Sequence, residues 1–158
     1  MTAAVIPFNR ATISVTDVRH LVAAVEQGHT AGNGPATREA EQRLAELHDG
    51  ATTFLTTSCT HALELSARLL EAEPGDEVIV PAYAFVSTAA AFVLAGLRPV
   101  FVDVHHDTLG LDPKAVESAI TPRTRAICTV HYAGVGSHPD RLLSIADQHG
   151  LALIEDNA

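Results

Sequence analysis

Four short apolar runs, at residues 77–80, 99–104, 126–130 and 151–154, recur along the second half of this 158-residue chain. Stretches with helical spacing separate them, at 85–95, 113–120 and 139–149. Strands that alternate with helices in this way imply a mostly parallel sheet closed by right-handed crossovers. The expected fold class is therefore α/β, with helices on both faces of the sheet. Composition agrees: 47% of residues are hydrophobic, only 4% are aromatic and Trp is absent. Aliphatic-rich strands suit a sheet that is buried on both faces. In open sheets of this kind ligands bind beyond the carboxyl ends of the strands, so the chemistry is sought there.

The first half reads as helices and loops leading into that sheet. Val18, Leu21, Val22 and Val25 predict a helix over 17–27. A Gly-rich loop, TAGNGP, follows at 30–35, and helical spacing resumes over 37–48 with Thr37 as N-cap. Residues 50–57 are expected to form a short strand running into a polar turn. A helix is expected over 60–71, ended by Pro74-Gly75. Asp112-Pro113 is a strong helix start, with Asp as N-cap and Pro at the first helical position. The length suits one domain. Residues 1–36 are expected to supply an N-terminal helix and a substrate-side loop.

Several function classes are disfavoured. The net charge is −9 with a sequence pI near 5.3, and no Lys/Arg run offers a surface to nucleic acid or anionic membrane. Cys59 and Cys128 follow no metal or redox spacing, so a reduced, cytoplasmic setting is expected. Residues 1–9 lack the pattern of a signal peptide. The longest apolar stretch, 86–97, carries Ser87 and Thr88 and reads as a buried helix, not a membrane span. His105, His106 and His138 have no metal-like arrangement, and loop positions explain them better.

Four segments at strand ends carry polar or aromatic groups. Thr56-Thr57-Ser58-Cys59-Thr60-His61 lies between a strand-like run and a helix. Free backbone N–H groups at such a helix start, with the Ser58 and Thr60 hydroxyls, suit a phosphate. A plain N-cap role for Ser58 or Thr60 explains the same residues. The run 81–88 (PAYAFVST) offers Tyr83, Phe85, Ser87 and Thr88 after a strand. Phe85 could stack on a planar ring, or fill the core at the base of the next helix. Glu155-Asp156 follows the last apolar run; a carboxylate there could face a pyridinium nitrogen or cap a helix. His131, after the third run, could bond a ligand or end the strand.

As an ordered set, these segments resemble a known family. The stretches 74–81 (PGDEVIVP), 85–88 (FVST), 101–103 (FVD), 119–121 (AIT) with Thr124-Arg125, 130–134 (VHYAG) and 154–156 (IED) are similar to the PLP-dependent nucleotide-sugar aminotransferases of the DegT/DnrJ/StrS type. The resemblance runs from Ile6-Pro7-Phe8 to the last residue. The Ser-Cys-Thr and Pro-x-Tyr-x-Phe-Val-Ser-Thr stretches most resemble the dTDP-4-amino-4,6-dideoxygalactose transaminase group. The resemblance implies an aminotransferase fold type I large domain with pyridoxal 5'-phosphate as cofactor. It implies that Asp156 pairs with the pyridine nitrogen, Phe85 stacks on one ring face and Ala158 lies against the other. Thr60 and His61 would give backbone N–H groups to the phosphate, with Ser58 and Cys59 shaping the turn. Ser87 and His131 join the cofactor-binding set, and Asn33, in the Gly32-Asn33-Gly34 loop, and Tyr83 lie on the substrate side. The implied reaction moves an amino group, with glutamate as donor, onto a nucleotide-linked 4-keto-6-deoxy sugar in deoxyamino-sugar and polysaccharide biosynthesis. A homodimer with active sites at the subunit interface is part of the same implication.

Two departures qualify it. Asn157 stands where many relatives carry a small apolar residue. The sequence stops directly after the fourth apolar run, before the place where the family carries its Schiff-base lysine. Lys114, the single lysine, lies in an apparent helix start and is given no catalytic role. The expectation is an N-terminal part of the domain, inactive alone, from a truncated gene product, an engineered truncation or a split polypeptide. The alternative is a binding module or split subunit whose partner supplies the lysine. A nicotinamide-binding domain fits the alternation too, but no G-x-G-x-x-G follows the first strand, and Gly134-Val-Gly136 lacks a third glycine.

Overall fold

The computed structural model describes Ile6, Pro7 and residues 10–158. Phe8, and most of the segment read for a signal peptide, lie outside the described residues. The chain divides into two compact units, residues 1–55 and 56–158.

The first unit contains two helices, α1 (Val15–Glu26) and α2 (Pro35–Leu47). Helix α1 begins two residues before its expected start because Ser14 and Asp17 form a capping box. Ser14 Oγ accepts from the Asp17 N–H, while the Asp17 carboxylate accepts from the Ser14 N–H at 2.7 Å. Helix α2 also starts earlier than expected. Its N-cap is Gly34, not Thr37, because Pro35 at the first helical position is already set to helical φ and has no N–H to satisfy. Residues 50–57 form no strand. Two of these residues are tied instead to α2, with Thr53 Oγ1 donating to the Glu41 carbonyl at 2.6 Å and the Leu55 N–H to the Glu41 carboxylate at 2.9 Å.

The second unit is a four-stranded parallel sheet with helices on both faces. Its elements run α3 (Cys59–Leu69), β1 (Glu77–Pro81), α4 (Val86–Leu94), β2 (Arg98–Val102), α5 (Pro113–Ala119), β3 (Thr124–Val130), α6 (Pro139–His149) and β4 (Ala152–Asp156). The strand order is β2-β1-β3-β4. Strand boundaries differ from expectation by one or two residues, most tellingly at the carboxyl ends of β2 and β4. Val104 leaves β2 and makes a lone antiparallel bridge to Leu111. Glu155 and Asp156 belong to β4, because they continue its pairing with Thr129 and Val130 of β3.

The pleat sorts the core. Val78 and Val80 of β1, with Ala126 and Cys128 of β3, pack against Leu63 and Ala67 of α3 and Ala91 and Phe92 of α4. Ile79 and Ile127, the alternate positions, pack on the other face with Val116 of α5 and Leu142, Ile145 and Ala146 of α6. Crossovers of one hand require connections that travel in opposite directions across a sheet to lie on opposite faces. Accordingly α4, which links β1 to β2, lies opposite α5 and α6, which lead toward β3 and β4. The directions diverge between β1 and β3, which makes their carboxyl ends the switch point of the sheet. The stretch 86–97 is buried on one side only: Thr88, Ala91 and Phe92 are buried, while Val86, Val93 and Leu94 are exposed.

The opposite, amino-terminal end of the sheet is held by charges. Asp76 accepts from Arg125 Nε at 2.8 Å, and the buried Glu77 accepts from the Thr121 hydroxyl at 2.7 Å and from Arg98. The Thr121 hydrogen bond is the main cause holding the Glu77 carboxyl below its ordinary range, with Arg98 adding to it against the opposing effect of burial. The Arg98 side chain is 65% exposed, so solvent screens that pair. A carboxyl whose folded pKa is lowered contributes stability above its unfolded pKa and loses it as pH falls through the folded one. The expected outcome is that the urea midpoint falls from neutral pH to about pH 3.5 less steeply in Glu77→Gln than in the parent protein. At neutral pH the variant is expected to be less stable by about 1–3 kcal/mol.

Candidate active site

The carboxyl ends of β1 and β4 and the starts of α3 and α4 bring one group of side chains together. At its centre is Asp156, the last residue of β4, only 5% exposed. Its Oδ2 accepts from the Thr88 hydroxyl of α4 at 2.9 Å. Its Oδ1 faces the Cys59 thiol of α3 at 3.5 Å and accepts from the Ala158 N–H at 3.1 Å. Every partner is a donor. Among the described residues no Lys, Arg or His forms an ion pair with this carboxylate. A charged group taken out of water is normally paired, so the arrangement fits a ligand that brings its own positive N–H.

Phe85 is the N-cap residue of α4, and its carbonyl accepts from the Thr88 N–H at 3.1 Å. One turn of helix therefore carries both the aromatic ring and the hydroxyl that touches Asp156. Phe85 is 71% exposed, which excludes the core role the sequence left open for it. An aromatic ring left exposed at a strand's carboxyl end is available to a planar ligand. A cavity of about 200 Å³ between Phe85 and Phe101 of β2 does not include Asp156 among its walls.

The start of α3 supplies backbone donors. Ser58 is the N-cap, and its Oγ accepts from the His61 N–H at 3.2 Å. The N–H groups left without a partner among the described residues are those of Cys59 and Thr60. The available pair is thus shifted by one residue from Thr60 and His61, because Ser58 caps the third position itself. The His61 ring turns back onto the Thr57 hydroxyl.

Other expected residues of the second unit lie outside this group. Glu155 and Asp156 are successive residues of one strand and point to opposite faces. The His131 Nε2 lies 2.8 Å from the Glu155 carboxylate, so its side chain goes with Glu155 and only its backbone N–H reaches the Asp156 carbonyl, at 3.0 Å. Its Nδ1 is buried with no partner among the described residues. Tyr83 packs on Tyr132 with ring centroids 4.6 Å apart, which joins the loops after β1 and β3 at the switch point. Ser87 is half-buried beside Thr88 and makes no bond to Asp156. Asn33 belongs to the first unit, where it adopts φ 57° and its carbonyl accepts from Arg38 at 2.9 Å. Lys114 is exposed at the start of α5.

Thr88 stands in the sequence reading only as one of two hydroxyls after the first strand, with no role assigned to it. Its signal was present in the spacing Thr88, Ala91, Phe92, which places a hydroxyl on the buried face of α4. A hydroxyl in such a place requires a partner.

Cys59 reports on the same cluster. At a helix start a thiol is usually acidified. Here burial, followed by the Asp156 charge and hydrogen bond, raises its pKa. Cys128 is fully buried and pushed up to about 12, so Cys59 is the thiol that reagents reach. Asp156→Asn removes the negative charge and is expected to lower the Cys59 pKa. Iodoacetamide should then label Cys59 faster than in the parent at the same mildly alkaline pH, as read by mass spectrometry.

Residues 13–158 match the DegT/DnrJ/EryC1/StrS aminotransferase family. Among solved structures, 3-amino-5-hydroxybenzoic acid (AHBA) synthase is 38% identical with a TM-score of 0.88, the match covering 93% of this chain and 38% of that one. DesI, crystallised in the presence of its TDP-sugar product, is 38% identical with a TM-score of 0.80 over 89% of this chain and 36% of its own. NtdA from Bacillus subtilis, with bound cofactor PMP, is 32% identical with a TM-score of 0.82 over 91% and 34%. The chain therefore spans little more than a third of each of these proteins. Aminotransferases of this family bind pyridoxal phosphate. A parallel sheet whose carboxyl ends gather Phe85, Thr88 and Asp156, joined to this match over nearly the whole sequence, leads to one conclusion: the chain belongs to the DegT/DnrJ/EryC1/StrS aminotransferase family.

Proposed function

We propose that the protein carrying this chain transfers an amino group to a nucleotide-linked keto sugar, with pyridoxal phosphate as cofactor and Asp156 as the partner of its pyridine nitrogen. The observation that carries the reading is the buried Asp156 carboxylate, which has three donors and, among the described residues, no cation. When bound, the cofactor supplies a ring that takes up the electrons of a substrate carbanion, and a protonated ring nitrogen is what makes it able to do so. Asp156 holds that proton in place at its carboxylate. Phe85 covers one face of the ring and excludes water from it. Ala158, whose N–H is already turned onto Asp156, lies toward the other face. The free N–H groups of Cys59 and Thr60, with the helix dipole of α3, hold the phosphate. Ser58 takes the His61 N–H and keeps that turn open; His61 itself lends shape and no donor.

Tyr83, braced by Tyr132, offers an aromatic surface to the substrate, and Asn33 is assigned to the substrate side. Ser87 and His131 are kept as lesser members of the cofactor set, His131 through the β3–β4 strand ends. Lys114 is given no part in the chemistry. Glutamate is the proposed donor, and the acceptor a 4-keto-6-deoxy sugar of the kind used by dTDP-4-amino-4,6-dideoxygalactose transaminases. The DesI match, a structure determined with a TDP-sugar product, supports a nucleotide-sugar substrate. Homodimeric assembly, a cytoplasmic setting and a part in polysaccharide biosynthesis complete the reading.

Titration of the protein with PMP, followed by fluorescence, tests the cofactor site. Binding is expected to weaken about 10–100-fold in Asp156→Ala, the loss of one hydrogen bond to a charged group. A protein that binds NAD and ignores PMP would overturn the assignment. For the substrate, mass spectrometry should detect an amino sugar nucleotide when glutamate and a TDP-4-keto-6-deoxy sugar are supplied. Amination of free keto acids in preference to that sugar would refute it.

A further inference from the structure

The Asp156 carboxylate needs more than burial to serve a ring nitrogen. Rotation about the last bond of an Asp side chain is soft and roughly two-fold, so the plane of the carboxylate is set by its neighbours. Oδ1 has two of them, the Cys59 thiol and the Ala158 N–H. A thiol is a weak donor, and Ala158 is exposed. Oδ2 has one, the Thr88 hydroxyl at 2.9 Å, from a side chain 1% exposed.

Thr88 lies in the first turn of α4, with no preceding helical turn to take its hydroxyl back. The hydroxyl bonds a residue 68 positions away in sequence. It does so from a face that otherwise carries Ala91 and Phe92, where an apolar residue of the same shape would serve packing as well. Phe85, in the same turn, is bonded to it through the backbone. The distance from stacking ring to carboxylate therefore runs through Thr88.

We propose that Thr88 is a positioning residue: its hydroxyl sets the plane of the Asp156 carboxylate, and with it the protonation of the cofactor's ring nitrogen. The inference rests on the assignment of Asp156 to that nitrogen. Thr88 touches neither ring nor substrate in this account. It presents the second carboxylate oxygen in a fixed direction and ties that direction to the turn that carries Phe85.

The test uses Thr88→Val, which keeps the shape and removes the donor, and Thr88→Ser, which keeps the donor. Asp156→Ala serves as control. Each protein is titrated with PMP, and the nitrogen-15 shift of ring-labelled PMP is followed against pH in the complex. Thr88→Val is expected to bind PMP about tenfold more weakly, because a carboxylate left free to turn must be ordered when the ligand binds. Its bound ring nitrogen should lose its proton at a lower pH than in the parent. Thr88→Ser should restore both readings to within about twofold. If Thr88→Val does not fold, Thr88→Ala carries the same expectation. An unchanged nitrogen shift in Thr88→Val, with or without weaker binding, overturns the positioning role while Asp156→Ala still loses affinity. If Asp156→Ala matches the parent in both readings, the assignment of Asp156 fails, and the role of Thr88 with it.

Discussion

The parallel pairing of β1 with β3 is the constraint on which the rest of this structure depends. Both strands are buried on both faces, and the crossovers leave from them in opposite directions. That divergence puts α4 on one face and α5 and α6 on the other. It also makes the carboxyl ends of β1 and β3 the switch point of the sheet. Asp156 at the end of β4, Thr88 and Phe85 in the first turn of α4, and Cys59 at the start of α3 are brought together by that arrangement and by nothing local in their own segments.

The two ends of the sheet do different work. At the amino-terminal end, carboxylates and arginines are matched: Asp76 with Arg125, and Glu77 with Arg98 and Thr121. At the carboxyl end, Asp156 has donors without a counter-charge among the described residues. A satisfied network is what a stable fold needs. An acidic group left for a ligand to complete is what a binding site needs.

Much of this was legible in the sequence, and the reasons are physical. The strands and helices of the second unit announce themselves by period, and their stops by Pro74-Gly75, Asp112-Pro113 and Gly150. Residues 50–57 looked like a strand because local pattern does not say who the partner is; their partner is Glu41 of α2, which supplies side-chain and carbonyl acceptors in place of a ladder. Phe85 was ambiguous because spacing alone cannot distinguish a buried ring from one left bare at a helix start. Asp156 could be named from the family pattern, but Thr88 could not be joined to it, since their contact spans 68 residues. At the start of α3 the residue types alone do not say which N–H groups stay free; capping by Ser58 takes up that of His61.

Glu155 and Asp156 are chemically near-identical neighbours with opposite assignments. One lies against His131; the other enters the clasp of Thr88 and Cys59. What tells them apart is the registration of β4 on β3, in which Thr129 lies opposite Glu155 and Val130 opposite Asp156. A slip of one residue would exchange the faces of the two carboxylates while leaving composition, charge and strand length unchanged. The alignment of two strands therefore acts as an addressing system: it delivers one of two adjacent acids to Thr88 and Cys59 and the other to His131, and a sheet that folded with the wrong address would look nearly native with the two acids exchanged.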